Sequence, residues 1–313
     1  MRIAVLAGGR SPEREVSLRS GHRVTTALRS RGHEAETIDP SERPLVEALS
    51  AWGPDVCYVA LHGKDGEDGT VQRVLELLDL PYTGAEPFAC SIAFDKLLAK
   101  DRLSRAGVAT PRWVGIQTAA LRDLAVGPVL HRVAERVGLP AVVKPSRAGS
   151  AMGISFVERE ADLAGAVMSA LAFSDAVVVE RRIAGPELAV AFVDGLPELP
   201  LVEIVPKSGV FDYAARYTPG MTEYYAPARI EAEVAAVARA AAARAFEALG
   251  VRDISRADVL VDEGGRPWIV DVNVCPGMTD TSLVPMASEA AGVPFDELCE
   301  RIAVHAADRD RAA

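Results

Sequence analysis

The four cysteines, Cys57, Cys90, Cys275 and Cys299, stand far apart with no C-x-x-C pair. That spacing suggests neither a zinc site nor a disulfide framework, and the thiols are expected to be free and mostly buried. No apolar run approaches the ~18 residues of a membrane helix. The opening "MRIAVLAGG" is too short for a signal-peptide core, so the expectation is a cytoplasmic protein with no membrane partner. Positive charge is also scarce: 34 Lys and Arg against 44 Asp and Glu give a net charge of -10. Nucleic acid is therefore not an expected partner. Neither G-x-G-x-x-G nor G-x-x-x-x-G-K-[ST] occurs, which excludes a standard P-loop.

What is present is an ordinary soluble mix, 49% hydrophobic and 25% charged over 313 residues, enough chain for about two domains. Strand and helix alternate through the first ninety residues, from "RIAVLAG" to "TVQRVLELLDL", which predicts parallel strands with helical crossovers. The loops "GGRSPEREVS" and "HGKDGEDG" then fall beyond the carboxyl ends of strands, where such sheets bind ligands. A single helix is expected through "FDKLLAKDRLSRAG". After it, "PAVVKPS", "RAGSAMG" and "ISFVE" read as two strands around a small-residue loop. The segment "KSGVFDYAARYTPGMTEYYA" lacks clear periodicity and reads as a packed aromatic flap. The expected division is 1–95, an α/β domain; 96–184, a lid carrying the glycine-containing loop; and 185–313, carrying the flap.

The stretch "RADVLVDEGGRPWIVDVNVCPG" raises a specific problem. Gly264-Gly265 between alternating apolar runs predicts a two-residue hairpin turn, which sets Asp258 directly opposite Asp271. Side chains alternate faces, so Asn273 joins Asp271 and Arg256 joins Asp258. Opposed like charges destabilise a sheet. A shared proton or a cation would reconcile them, and the added carboxamide oxygen favours a hard cation such as magnesium. Lys144, ending an apolar strand before Gly149, Ser150, Ala151 and Gly153, supplies the cationic, backbone-accessible half of a metal–nucleotide site.

The blocks "GGRSPEREVSL", "ALHGKDGEDGTVQ", "PYTG", "FDK", "VVKPSRAGSAMGIS", "VVVERRIAGPELAVA", "YAARYT", "RADVLVD" and "VDVNVCPGMTDTSLVPMA" together resemble the D-alanine-D-alanine ligases of the ATP-grasp superfamily, in family order across nearly the whole chain. The resemblance implies an ATP-grasp fold, α/β with an α+β ATP-binding part. It implies ATP-dependent joining of two D-alanines through an acyl phosphate for peptidoglycan synthesis, and a homodimer. It implies ATP and Mg2+, two ions, with Mn2+ an alternative. Carried over, Asp258, Asp271 and Asn273 are the metal ligands. Lys96, Lys144 and the flap cation Arg216 face phosphates. Glu180 and Glu187 hold the adenine amine and ribose, with backbone of Arg181 to Ile183 at the base edge. Arg256 and the Gly277 N-H face the oxyanion, Ser282 and Leu283 grip the second substrate, and His62 lies on the substrate side. Glu15 lies near the first ammonium and is linked through Ser150 to Tyr217.

The chain also departs from the family pattern. Asp271 stands for a usual glutamate, Arg216 for a usual lysine, Ala148 and Ala151 for a glutamate and a serine, and Cys275 for a non-cysteine. These changes keep two alternatives open: the same scaffold serving another D-amino acid or acceptor in specialised metabolism, and a weak nucleotide-binding protein without full catalysis.

Overall fold

Apolar β-branched runs bounded by glycine turns form strands, and amphipathic stretches between them form helices, throughout a computed structural model that describes residues 1–123, 126–218 and 220–311. The side chains of Arg122, Asp123, Tyr213, Tyr217, Asp310 and Arg311 also lie outside the described residues. The first part runs β1 (Arg2–Leu6), α1 (Arg14–Ser30), β2 (Glu34–Ile38), α2 (Leu45–Trp52), β3 (Val56–Val59) and α3 (Thr70–Leu77). Its strands pair in parallel in the order β2-β1-β3. Buried faces on both sides account for the unbroken apolar run of β1.

The helix expected through "FDKLLAKDRLSRAG" is α5 (Lys96–Arg105), and a separate helix, α4 (Pro87–Phe94), precedes it. They break at Asp95, whose extended backbone and side chain cap the N-H groups of Leu97 and Leu98. The lid follows as β4 (Trp113–Gln117), α6 (Thr118–Asp123), α7 (Val126–Val137), β5 (Ala141–Pro145), β6 (Ser155–Val157), α8 (Glu160–Leu171) and β7 (Ala176–Arg181). These strands make an antiparallel sheet in the order β4-β7-β5-β6. Its own apolar core runs from Ile116 to Val179.

The last part contains β8 (Glu187–Val193), β9 (Val202–Pro206), α9 (Tyr213–Tyr217), β10 (Thr222–Tyr225), α10 (Ala232–Leu249), β11 (Ile254–Val261), β12 (Pro267–Asn273), α11 (Leu283–Ala290) and α12 (Phe295–Arg311). The sheet order is β10-β9-β8-β11-β12. Two elements therefore organise the flap that periodicity left unassigned: α9, capped by Asp212, and β10, paired antiparallel to β9. Ala99 and Leu103 of α5 pack with α10 and β11 rather than into the lid core. One further cluster joins β1 and α1 to β8, β9, α11 and α12, so the first sheet and the last are fixed against each other.

The hairpin turn is wider than the glycine pair predicts. Val261 pairs with Pro267, and Asp262 both receives and gives turn hydrogen bonds, so three residues rather than two make the loop. That offset alone would move Asp258 away from Asp271. A bulge restores it: Val259 faces Ile269 while Asp258 faces Asp271, leaving Val270 as the extra residue of β12.

Gly21 marks the closest approach of α1 to the first sheet, since a Cβ there would sit 2.2 Å from the Ala7 Cβ. Alanine normally improves a helix interior by about 1 kcal/mol over glycine. Here Gly21→Ala is expected to destabilise instead, by about 1–3 kcal/mol, through overpacking. A urea-unfolding midpoint equal to or above the parent's would refute that packing account.

Candidate active site

The three parts meet around a cavity of about 590 Å³. Its charged floor is the hairpin. Arg256 and Asp258, adjacent on one face of β11, form a buried fork, with Nε donating to Oδ1 at 2.6 Å and Nη2 to Oδ2 at 2.9 Å. Arg216 of α9 places Nη2 3.8 Å from Asp258 Oδ2 and rests its guanidinium 4.3 Å from the Phe211 ring centre. Across the pair, Asp271 Oδ1 lies 3.8 Å from Lys96 Nζ. Burial would raise the Asp271 carboxyl, but Lys96, Lys144, Arg256 and Arg216 outweigh it and hold it below the usual value. Asn273 Oδ1 accepts the Cys275 N-H at 2.9 Å, which orients the carboxamide. Asp258, Asp271 and Asn273 all border the cavity. An all-oxygen donor set of two carboxylates and a carboxamide fits a hard divalent cation.

The glycine-containing loop closes over this floor. Asp95 accepts from Ser146 Oγ at 2.5 Å and Arg147 Nε at 2.9 Å, and Lys96 Nζ donates to Ala148 O at 2.8 Å. Ser150 and Ala151 both take positive φ, 51° and 58°, a conformation that costs non-glycine residues of order 1–3 kcal/mol each. Ser150 Oγ donates to Glu13 Oε1. Gly149 lets the loop approach closely, because a Cβ there would fall 2.5 Å from Glu13 Oε2 and displace that carboxylate.

That contact brings Glu13 to the cavity where Glu15 was expected. Glu15 is exposed in the first turn of α1 and does not border the cavity, whereas Glu13, two residues earlier in "SPEREVS", is buried there. Both glutamates were visible; where the helix begins decides which one turns inward. Burial and the neighbouring Glu67 raise the Glu13 carboxyl, and the Ser150 hydrogen bond opposes them. The Tyr217 side chain, to which Ser150 was expected to connect, lies outside the described residues.

His62 is buried, with Nε2 3.0 Å from Ser20 Oγ and Nδ1 3.6 Å from Glu67 Oε1. Ser20 also accepts the Met278 N-H at 3.1 Å, joining the histidine to the loop after β12. On that loop Gly277, Ser282 and Leu283 border the cavity, and Ser282 Oγ accepts the Thr279 N-H at 2.9 Å. Arg23 fixes the same loop by donating to Met278 O at 2.7 Å. Glu67 lies within the loop "HGKDGEDG", whereas Ser20 and Arg23 carried no recognisable sequence signal.

At the far end, Glu180 is buried at the end of β7 with Lys144 Nζ 2.5 Å from Oε1. A second lysine that the motifs did not single out, Lys100, sits 2.5 Å from Oε2. Its signal was available, for Lys96 and Lys100 are one helical turn apart on α5. Of the backbone expected at a base edge, Arg181, Arg182 and Ile183 all border the cavity, though Arg181 N-H is spent on Arg112 O at 2.8 Å and Arg182 N-H on Pro140 O at 3.0 Å. Glu187 borders it too; burial and the Asp258 charge push its carboxyl up to about 7 against the pull of Arg216 and Lys144.

Family models described as the D-ala D-ala ligase C-terminus and N-terminus match residues 103–304 and 47–85. A D-alanine–D-alanine ligase from Syntrophotalea carbinolica is 44% identical over 96% of this chain and 94% of its own length. One from Moorella thermoacetica is 42% identical over 96% of this chain and 98% of its own. The crystal structure of the Bacillus anthracis D-alanine–D-alanine ligase complexed with ATP superposes with a TM-score of 0.83, at 29% identity, over 100% of this chain and 99% of that one.

Because the Glu187 carboxyl titrates higher in the folded, metal-free protein than its ordinary 4.5, its ionisation opposes folding as pH rises through about 7. Glu187→Gln is therefore expected to unfold at higher urea than the parent above pH 7 and at the same urea below pH 4.5. A difference that did not grow with pH would contradict this.

Proposed function

The chain belongs to the family of D-alanine–D-alanine ligases, and from that premise we propose how its residues divide the work. The protein joins two D-alanines at the expense of one ATP, giving D-alanyl-D-alanine, ADP and phosphate for peptidoglycan precursors. The alternative of another acceptor is not favoured, since full-length relatives of 42–44% identity carry the D-alanine–D-alanine name. The observation that carries the site assignment is the meeting in one cavity of Asp258, Asp271 and Asn273 with the cations Lys96, Lys144 and Arg216.

A carboxylate resists attack by an amine because oxide is a poor leaving group. Its oxygen first attacks the γ-phosphorus, ADP departs, and the acyl phosphate carries phosphate as a good leaving group. The second D-alanine, having lost its ammonium proton to solvent, adds to the carbonyl carbon; the tetrahedral oxyanion collapses, phosphate leaves, and the nitrogen gives a second proton to solvent to form the amide. Such transfer depends mainly on positioning and charge neutralisation. Lys96, Lys144 and Arg216 neutralise the phosphates, while Glu180 and Glu187 hold the adenine amine and ribose, with Arg181 to Ile183 beside the base. Arg256 spends Nε and Nη2 on Asp258, which leaves its Nη1 edge to act with the Gly277 N-H on the oxyanion. Ser282 and Leu283 grip the second D-alanine, with His62 on the substrate side.

Glu13 receives the first D-alanine's ammonium in place of Glu15, and Ser150 and Tyr217 close the flap over it. Asp258, Asp271 and Asn273 would hold Mg2+, two ions in our proposal with Mn2+ an alternative, and the metal when bound screens phosphate charge. A homodimer in the cytoplasm completes the proposal; no described helix is long and apolar enough to cross a membrane.

Phosphate release with ATP, Mg2+ and each D- and L-amino acid, alone and paired with D-alanine, tests the reaction when products are identified by mass. D-alanyl-D-alanine is expected to dominate, and Asp258→Ala to lose more than about 100-fold in turnover; another dipeptide, or parent-like rates in the variant, would overturn the reading. The two glutamates are separable. Losing a hydrogen bond to a charged group costs about 1.5–3 kcal/mol, so Glu13→Gln is expected to raise the KM for the first D-alanine about ten- to a hundredfold. Glu15→Gln should leave it unchanged, and the reverse pattern would restore Glu15.

A further inference from the structure

Lys96 and Lys100 share one face of α5, yet their ammonium groups end in different surroundings. Lys96 borders the cavity. Lys100 does not; it is 3% exposed, and its Nζ lies 2.5 Å from Glu180 Oε2 while donating to Thr110 Oγ1 at 2.7 Å. Glu180, 2% exposed, meets Lys144 through its other oxygen at 2.5 Å. One buried carboxylate thus faces two ammonium groups of unequal freedom. Lys144 borders the cavity and can turn to an incoming phosphate, whereas Lys100 is sealed behind Glu180 and Thr110.

We propose that Lys100 is a positioning residue that sets which purine the cavity accepts, by holding Glu180 as an acceptor-only carboxylate once Lys144 engages the phosphates. An ionised carboxylate accepts hydrogen bonds and donates none, so it pairs with the exocyclic amine of a 6-aminopurine and repels a 6-oxo oxygen. A buried carboxylate without a counter-ion takes up a proton instead. The resulting carboxyl has an O-H to give, and a 6-oxopurine can accept it. Burial by itself would raise the Glu180 carboxyl; Lys100 first, then Lys144, bring it below the usual range. Polar groups built to read one substrate hydrogen bond discriminate strongly against an analogue that lacks it. The inference rests on the cavity being an ATP site.

The test measures kcat and KM with ATP and with inosine triphosphate for the parent, Lys100→Met, Glu180→Gln and the double variant. Lys100→Met is expected to lower the ATP-over-inosine preference in kcat/KM by about tenfold or more, through the KM for ATP, with kcat kept within about threefold. Added to Glu180→Gln, where no carboxylate remains to hold, it should move the preference no further. An unchanged preference in Lys100→Met, an equal fall in the Glu180→Gln background, or a parent with no preference for ATP would each overturn the inference. Should Lys100→Met fail to fold, Thr110→Val removes the other contact of the Lys100 ammonium, and a smaller fall in preference is expected; no fall there overturns it. A parent without ATP-dependent turnover would instead sink the ATP-site reading itself, which separates the two failures.

Discussion

Asp258 and Asp271 face each other across β11 and β12, and the architecture of the cavity follows from what that opposition demands. Two unit charges 4 Å apart interact by about 4 kcal/mol at an effective dielectric constant of 20, so neighbouring cations are needed. They arrive from separate elements: Arg256 from the same strand, Arg216 from the flap helix, Lys96 from the start of α5. Each fixes its element relative to the hairpin. The cavity is where those elements are drawn together, and it is negative enough to take a metal and positive enough to take phosphates.

The same logic governs the loop above the hairpin. It contains one charged residue, Arg147, and is held mainly from below, by Asp95 and Lys96 at its base and by Glu13 of the first part through Ser150. Glu13 is buried and repelled by Glu67, which favours its neutral form. A cationic group entering beside it would favour the ionised form, the form that accepts the Ser150 hydroxyl.

Much of this was legible in sequence because it depends on local pattern. The parallel first sheet follows from alternation, and the opposed carboxylates follow from period two in each strand. The hairpin succeeded partly by cancellation, since a turn one residue wider than the glycine pair suggested was offset by the bulge at Val270. That Glu13 and not Glu15 borders the cavity has a finer reason: two glutamates two residues apart differ only by where α1 begins, and nothing in "SPEREVS" states that. The flap's α9 and β10 are short, five and four residues, and take their order from Asp212 and from pairing with β9 rather than from periodicity. Lys100 shares a helix face with Lys96, but its partner, Glu180, is eighty positions on and no local pattern joins the two.

The two departures nearest the proposed metal site act on different carboxylates. Arg216, with the longer planar fork, reaches toward Asp258, which Arg256 already clamps, and its stacking on Phe211 is an interaction suited to a guanidinium. Asp271, the shorter residue, has its nearest cation at 3.8 Å, and its side chain is 34% exposed against 3% for Asp258. The hairpin therefore presents one carboxylate locked by two guanidinium groups and one, held ionised by surrounding charge, with room to turn. Losing a methylene at the freer position leaves the locked pair undisturbed, so in the proposed metal site the cost of that substitution falls on the ligand and not on the fold.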